Sequence, residues 1–356
     1  MNWAIGFREL GWDVWIAEHI DSDELEPPEG EGLKSPQEEF WFATAKEFGF
    51  ENRQCLIVNG ASPDLEAFKE FASDAELFVN YSGQFKRLDL LGPGVKKAYL
   101  DVDPAFTQLW AEVYKSDMNF DGHDVFLTVG TTLDQPQALV PMCGRDWLPV
   151  APPVVGDYWR MRLGEAPSNA HGAWTTIGHW YGYPDLEWQG RTYGGKRENL
   201  MAMRLLPTLV KVPCAIAADL KPDWHDYDSF MEGKWGLHSA PQVCSSIPIY
   251  LQFIAASRGE IGITKAGYVT SRGGWISDRS VVYLAMGCPV VLQDTGWTRA
   301  FPTSAGLLPF TNVEDCAQTI NRIEDDYANQ SKAARVLADT MFSAREILGE
   351  LVKKLF

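Results

Sequence analysis

The sequence predicts an α/β protein built from two parallel-sheet units that face each other across a cleft. In both halves of the chain, short apolar strands alternate with amphipathic helices, which is typical of helices layered on a parallel sheet. A proline-rich stretch at 141–172 separates the two sets and indicates a connection between domains. The length of 356 residues fits two domains at about 150 residues each.

The amino-terminal half shows the alternation clearly. Ser35 followed by Pro36 indicates a helix start, because serine caps the first turn and proline fits its first position. The acidic segment 21–34 contains prolines and glycines and is predicted to be a loop. Predicted helices cover 2–10, 35–48 and 62–75, with another from Pro104; predicted strands cover 12–18, 54–59, 77–81, 97–102 and 124–130.

The carboxyl-terminal half repeats the pattern and ends in a helical tail. From 313 to 356 the sequence is predicted to be helical in at least two pieces, with a polar break near Asn329. Predicted strands cover 174–178, 214–218, 260–264 and 289–293; predicted helices cover 197–206, 247–256 and 277–286.

Composition and charge exclude several functional classes. The chain has 31 Lys and Arg against 48 Asp and Glu, a net charge of −17, which opposes binding to nucleic acid or to an anionic membrane surface. No apolar run approaches the roughly 18–20 residues of a membrane span, and no secretory leader is visible. The six cysteines are scattered without a C-x-x-C pair, which indicates free thiols in a reducing cytoplasm.

The segment 259–297 carries the densest chemical signal. It reads as strand, glycine-containing loop, helix and strand, with Ser277 as a candidate helix cap. Glycine amides, a helix amino terminus and nearby cations together suit a phosphate or diphosphate. A strand, glycine loop and helix also occur in any doubly wound fold, where nearby basic residues are simply solvated. This structural interpretation stays open beside the phosphate-binding one. The candidate anion-binding residues are Lys265, Arg272, Gly273, Gly274, Ser277 and Arg279.

The stretch SDRSVVYLAMGCPVVLQDTGW, followed by GLLPF at 306–310 and the helical tail, resembles the carboxyl-terminal half of GT-B glycosyltransferases. It is most similar to a bacterial group with a DRS…YLA-G-PVV-QDTG signature. Residues 97–130 resemble the amino-terminal half of that group. The resemblance implies two Rossmann-like domains: an acceptor-side domain at 1–165, onto which a final helix at about 336–356 packs back, and a nucleotide-sugar domain at 166–335.

The resemblance also implies roles for individual residues. Lys265 would pair with a donor phosphate, and the start of the helix at Ser277, Asp278, Arg279 and Ser280 would face the diphosphate or ribose. Asp294, Thr295 and Gly296 would lie near the sugar. The ribose-binding Glu of many retaining members is absent here, since the helix reads YLAM at 283–286. No cofactor or metal is implied, and the partners would be a nucleotide sugar and an unknown acceptor.

Four further residues have a functional and a structural interpretation. Asp101 is a candidate general base or a buried hydrogen-bonded carboxylate, and Asp103 is a candidate cap for the helix opened by Pro104. His179 would contact a phosphate or the transferred sugar, or be structural. Lys196, which follows two glycines and precedes a helix, is a second candidate phosphate ligand.

The start of the sequence departs from the resembled family. Members of that family have a strand and a glycine-rich loop before the first helix, whereas this sequence begins inside what looks like that helix. Without a central strand, neighbouring strand edges would be exposed, and dimerisation or rearrangement would compensate. The sequence thus predicts a glycosyltransferase that uses a nucleotide sugar. The alternatives are a nucleotide-sugar 2-epimerase and a truncated, catalytically silent relative that binds a nucleotide or a partner.

Overall fold

The computed structural model describes residues 1–27, 34–164, 172–301, 303 and 305–356. Within the described amino-terminal residues, strands and helices alternate as the sequence predicts. The strands are β1 (Ile16–Ile20), β2 (Gln54–Val58), β3 (Leu77–Tyr81), β4 (Lys96–Asp101), β5 (Val125–Thr128) and β6 (Trp147–Pro149). The helices are α1 (Asn2–Glu9), α2 (Pro36–Glu47), α3 (Leu65–Ser73), α4 (Phe106–Glu112) and α5 (Gly156–Leu163).

The strands of this half form two separate parallel sheets. β1 pairs with β2, while β3, β4, β5 and β6 form a four-stranded sheet in chain order. The expected helix cap at Ser35 is present, because its hydroxyl accepts the Glu38 N–H at 3.2 Å. The strand expected at 12–18 begins only at Ile16.

The carboxyl-terminal half contains one continuous sheet. Its strands run parallel in the order β11-β10-β7-β12-β13-β14, and β8 and β9 form a separate antiparallel hairpin. The strands are β7 (Trp174–Gly178), β8 (Leu186–Trp188), β9 (Arg191–Tyr193), β10 (Cys214–Ala218), β11 (Gly236–Ser239), β12 (Gly259–Gly262), β13 (Val290–Gln293) and β14 (Leu307–Phe310).

The helices of this half cover the sheet and then return to the first half. They are α6 (Arg197–Ala202), α7 (His225–Glu232), α8 (Ala240–Val243), α9 (Ile247–Ala256), α10 (Ala266–Ser271), α11 (Asp278–Ala285), α12 (Val313–Asp325), α13 (Tyr327–Thr340) and α14 (Ala344–Leu355). The tail forms three helices and breaks at Asp326 rather than near Asn329. The last helix, α14, packs against α1, and so joins the two halves.

Parts of the predicted loops lie outside the described residues. These parts are 28–33 of the acidic segment and 165–171 of the connection, which includes the predicted domain boundary at 165/166. The described part of the connection is ordered into β6 and α5. None of the described helices is long and apolar enough to cross a membrane.

Candidate functional site

Three cationic side chains meet at the carboxyl ends of β7 and β12. Lys196 precedes α6, Lys265 precedes α10, and Arg279 lies in the first turn of α11. Ligands of parallel α/β sheets bind outside the carboxyl ends of the strands. The sheet therefore brings together, at the carboxyl ends of its strands, three cations that are far apart in the sequence.

Arg279 is held by a buried carboxylate and by the end of β7. Its Nε donates to Glu260 Oε1 at 2.6 Å, and its Nη1 donates to the Ile177 carbonyl at 2.8 Å. The Glu260 side chain is fully buried in β12, and its second oxygen has no hydrogen-bond partner among the described residues. A buried carboxylate is tolerated because a cation pairs with it. Glu260 therefore fixes the position of the guanidinium group.

Lys196 lies beside Arg279 without a carboxylate partner among the described residues. Its Nζ donates to the same Ile177 carbonyl at 3.1 Å. A Cβ atom on Gly178 would collide with this Nζ, so the glycine permits the close approach. Burial lowers the pKa of the Lys196 amine; the positive charges of Arg279 and Lys265 lower it further, and the negative charge of Glu260 opposes the shift. An anion bound here would stabilise the charged amine.

Lys265 connects the two halves of the molecule. Its Nζ lies 2.7 Å from Asp103 Oδ2, and Asp103 Oδ1 accepts from the Tyr268 hydroxyl at 2.5 Å. The amine also lies 3.9 Å from the centre of the Tyr183 ring. Burial lowers the pKa of Lys265, and Asp103 opposes that shift. The expectation that Asp103 caps a helix is wrong, since its carboxylate binds Lys265 and Tyr268 and α4 begins at Phe106.

The first turn of α11 is capped from within the chain. The Arg279 N–H donates to Ser277 Oγ at 3.2 Å and to Asp278 Oδ1 at 2.8 Å. Ser277 is thus the expected cap, while Asp278 is exposed and places a negative charge at the helix start. Ser280 Oγ is buried and has no partner among the described residues. Of this turn, only the Arg279 side chain brings a positive charge to the carboxyl end of β7.

The loop with Gly273 and Gly274 joins the two halves. The Gly273 N–H donates to Ser271 Oγ, and the Gly274 N–H donates to the Thr295 carbonyl. Gly274 has a φ of +77°, and a Cβ there would collide with Thr132 Oγ1 at 2.5 Å. Both amides that the sequence assigned to a phosphate are therefore engaged by protein acceptors in this structure.

Four other residues predicted to bind the donor lie in or against the loop at 272–275. The Arg272 carbonyl accepts from Arg299, and its own side chain belongs to an exposed residue. Thr295 Oγ1 donates to the Trp275 carbonyl at 2.7 Å. Asp294 Oδ1 accepts the Gly296 N–H at 2.8 Å. Asp294, Thr295 and Gly296 therefore lie against the loop at 272–275, where they shape the edge of the site.

Asp101 and His179 occupy contrasting environments. Asp101 is fully buried; its Oδ2 accepts from Gln108 and Thr128 at 2.8 Å each, and its Oδ1 accepts the Asp103 N–H at 3.0 Å. Burial raises the pKa of Asp101. These contacts match the buried-carboxylate interpretation, because they hold the turn that carries Asp103. The His179 side chain is 86% exposed, and its Nδ1 lies 3.6 Å from Asp219.

Sequence reasoning missed three residues of the site. Glu260 was assigned only to a strand, although a single carboxylate in the apolar run GEIGI is the signal that could have revealed a buried ion pair. Asp103 was assigned to helix capping. Tyr183 had no signal, because its contact with Lys265 depends on how the loop after β7 folds back.

Comparisons with known proteins find solved structures with a similar fold. No family model and no curated protein matches the chain. HepE of Anabaena, solved with UDP and glucose, is similar with a TM-score of 0.54 and 13% identity over 96% of this chain and 99% of HepE. Sucrose-phosphate synthase of Thermosynechococcus elongatus gives a TM-score of 0.51 and 14% identity over 99% of this chain and 91% of the synthase. The chain therefore has the GT-B fold of glycosyltransferases, with two parallel α/β halves joined through the loops around the candidate site.

Proposed function

We propose that the protein transfers a sugar from a nucleoside diphosphate sugar to an acceptor, and that Lys196, Lys265 and Arg279 bind the diphosphate. The observation that carries the proposal is the convergence of these three cations, of which Lys196 has no carboxylate partner among the described residues. The similar protein HepE was also solved with UDP-glucose, which makes UDP-glucose the first donor to test.

The same cations would supply the chemistry. A nucleoside diphosphate leaves as an anion, and fixed positive charges stabilise that leaving group in the transition state. Each charge-assisted hydrogen bond contributes roughly 1.5–3 kcal/mol. No metal is part of the proposal, since the cations provide the charge. The acceptor would bind on the amino-terminal side, where Asp101 positions the turn that carries Asp103.

The epimerase alternative gains no support from the site. An epimerase needs carboxylates that act as acid and base on the bound sugar. Glu260 and Asp103 instead form ion pairs with Arg279 and Lys265. The silent relative differs from the transferase only in turnover, and so it becomes an outcome of the experiment.

The first experiment uses titration calorimetry to measure how tightly UDP, GDP and TDP bind. The proteins compared are the parent, Lys196→Gln and the control Lys332→Gln, which changes an exposed lysine of α13. We expect Lys196→Gln to weaken binding by about 10- to 100-fold and the control to leave it unchanged. Equal affinity in all three proteins, or no binding of any nucleotide, would contradict the diphosphate site. Binding without sugar release from UDP-, GDP- or TDP-sugars would identify the silent relative.

The pH dependence of binding gives a second readout. Because the pKa of Lys196 is lowered, its charge is lost at lower pH than that of an ordinary lysine. Nucleotide affinity should therefore fall as the pH rises through that lowered pKa. Lys196→Gln should remove this part of the pH dependence, and an unchanged profile would contradict the assigned role.

A further inference from the structure

The ammonium group of Lys265 is enclosed by side chains from both halves of the molecule. Its Nζ lies 2.7 Å from Asp103 Oδ2 and 3.9 Å from the centre of the Tyr183 ring. The ring centres of Phe106 and Tyr268 lie 4.9 Å and 5.1 Å away. Aromatic rings at these distances attract a cation. We use the name lysine cage for the four residues Asp103, Phe106, Tyr183 and Tyr268.

The amino-terminal half builds the turn that carries Asp103 from buried polar groups. The fully buried Asp101 accepts the Asp103 N–H at 3.0 Å. Gln108 donates to Asp101 at 2.8 Å and accepts the Ala105 N–H at 2.7 Å. Ala105 has a φ of +85°, which a residue with a side chain adopts only when its surroundings enforce it. The chain therefore holds Asp103 in place at the expense of local strain, and such strain concentrates at ligand sites.

Asp103 makes the contact with Lys265 that a phosphate oxygen would make. A carboxylate oxygen 2.7 Å from an ammonium group forms a charge-assisted hydrogen bond, and a phosphate oxygen binds an ammonium group in the same way. The second carboxylate oxygen accepts from the Tyr268 hydroxyl at 2.5 Å. The Lys265 and Asp103 side chains are 23% and 13% exposed, so solvent screens their attraction only weakly. Asp103 and a bound diphosphate would therefore compete for one ammonium group.

The other two cations of the candidate site are arranged differently. Lys196 has no carboxylate partner among the described residues. Arg279 pairs with Glu260, which lies in the same half and is fully buried in β12. A guanidinium group has five N–H donors and can bind a second anion beside that carboxylate. Asp103, by contrast, belongs to the opposite half, so a small displacement of one half relative to the other would separate it from Lys265.

We propose that Asp103 competes with the diphosphate of the donor for Lys265 and thereby lowers the affinity of the site. A diphosphate gains the full attraction of Lys265 only when the contact between Lys265 and Asp103 loosens. The coupling is reciprocal, so a bound diphosphate weakens that contact by the same factor by which the contact weakens diphosphate binding. The proposal rests on the proposed function, since it names a residue of the amino-terminal half that sets the affinity of that diphosphate site.

The first measurement needs no nucleotide. Acetic anhydride acylates the uncharged form of a lysine amine, and mass spectrometry of the resulting peptides gives a rate for each lysine. Asp103→Asn keeps the size of the side chain but removes its charge, which lowers the pKa of Lys265 and releases the amine. We expect Lys265 to react about threefold faster or more in Asp103→Asn, with the rate of the exposed Lys332 unchanged. Equal Lys265 rates would show that Asp103 does not hold the amine, and would overturn the proposal.

The second measurement is titration calorimetry with UDP. We expect Asp103→Asn to bind UDP about tenfold more tightly than the parent, because Lys265 then attracts one anion instead of two. Tyr183→Leu removes the closest of the three rings from an exposed position, so it should fold and bind UDP about two- to fivefold more tightly. The control Glu70→Gln, which removes an exposed negative charge of α3, should leave the affinity unchanged.

Unchanged or weaker UDP binding by Asp103→Asn would overturn the proposal, because a carboxylate that only supports the fold gives that result. Weaker binding by Tyr183→Leu would also overturn it, since the ring would then stabilise the bound state. The Lys196→Gln variant judges the proposed function separately. If UDP binding depends on Lys196 but not on Asp103, only the competition fails. If UDP, GDP and TDP bind to none of these proteins, the diphosphate site fails and the competition fails with it.

Discussion

The two halves of the molecule use the same parallel α/β plan but differ in the continuity of their sheets. Every residue of β12 and β13, inside the six-stranded sheet, is buried. In the other half, every residue of β1 is only half-buried, and β3 has one buried residue, Asn80. The difference follows from strand pairing, because β12 and β13 have neighbours on both sides whereas β1 and β3 each have a neighbour on one side only.

This contrast indicates where stability and chemistry reside. The continuous sheet fixes Arg279 and Lys196 on one carbonyl of β7, and positioned charges are what a diphosphate site needs. The interrupted sheet leaves apolar side chains and strand edges less covered. We therefore expect perturbations in the carboxyl-terminal sheet to cost more free energy of unfolding than matched perturbations in β1 or β3.

The largest expected effect comes from matched leucine truncations. Leu292 in β13 is fully buried, whereas Leu77 in β3 is half-buried. Leu292→Ala should lower the free energy of unfolding by about 3–5 kcal/mol, because it removes contacts and leaves a cavity. Leu77→Ala should cost about 1–2 kcal/mol, since less apolar surface is lost. Urea unfolding monitored by tryptophan fluorescence measures both, and equal losses would break the comparison.

The buried ion pair gives the next largest effect. Arg279→Met leaves Glu260 uncompensated at a fully buried position, which should cost about 3 kcal/mol or more. Arg279→Met combined with Glu260→Gln should recover part of the loss. In the other half, Arg87→Met breaks an exposed pair with Asp89 and should cost at most about 1 kcal/mol.

Denaturant unfolding of these three variants and the parent distinguishes the cases. If the double variant is no more stable than Arg279→Met, then the uncompensated charge of Glu260 is not the cause of the loss.

Much of the fold could be predicted from the sequence, because local signals coincide with packing. The helix at α2 follows from Ser35 and Pro36, and β7 and β10 match their predicted bounds, since short apolar runs are buried on both faces of a parallel sheet. The hairpin of β8 and β9 was missed, because each strand has only three residues and little alternation. The acidic loop and the domain boundary fall partly outside the described residues.

The candidate site was harder to predict, because the residues that contact one another there are far apart in the sequence. The sequence singled out Lys196, Lys265 and Arg279 as separate candidates, but nothing in it placed two of them on Ile177. Gly273 and Gly274 matched a phosphate-binding loop by composition, yet their amides are used by Ser271 and Thr295. A glycine shows that a close approach is possible; what approaches depends on tertiary structure. Whether these residues bind a donor stays a prediction.

A smaller effect should separate nucleotide binding from protein stability at Lys196, one of the three cations of the candidate site. Gly178→Ala places a Cβ where Lys196 Nζ lies, and the flexible lysine end can move aside at low cost. We expect stability to change by less than about 1 kcal/mol, while UDP affinity falls by about tenfold because the amine is displaced. Gly94→Ala, which meets open space in the other half, is the matched control. Unchanged UDP affinity in Gly178→Ala would show that the position of Lys196 does not matter for binding.

The smallest expected effect is that the free energy of unfolding depends on pH with opposite sign at one carboxylate in each half of the molecule. Burial raises the pKa of Glu18 in β1, whereas Arg197 lowers the pKa of Asp226 in the carboxyl-terminal half. A raised pKa in the folded state adds stability at low pH that is lost as the pH rises through that pKa. A lowered pKa does the opposite, since its contribution is lost as the pH falls. Measured against Glu18→Gln, the parent should lose relative stability between about pH 4 and the raised pKa.

Measured against Asp226→Asn, the parent should instead gain relative stability as the pH rises over the acidic range. Urea unfolding at a series of pH values gives both differences. If the stability difference between the parent and Glu18→Gln does not change with pH, then Glu18 is solvated in the folded state and burial does not raise its pKa.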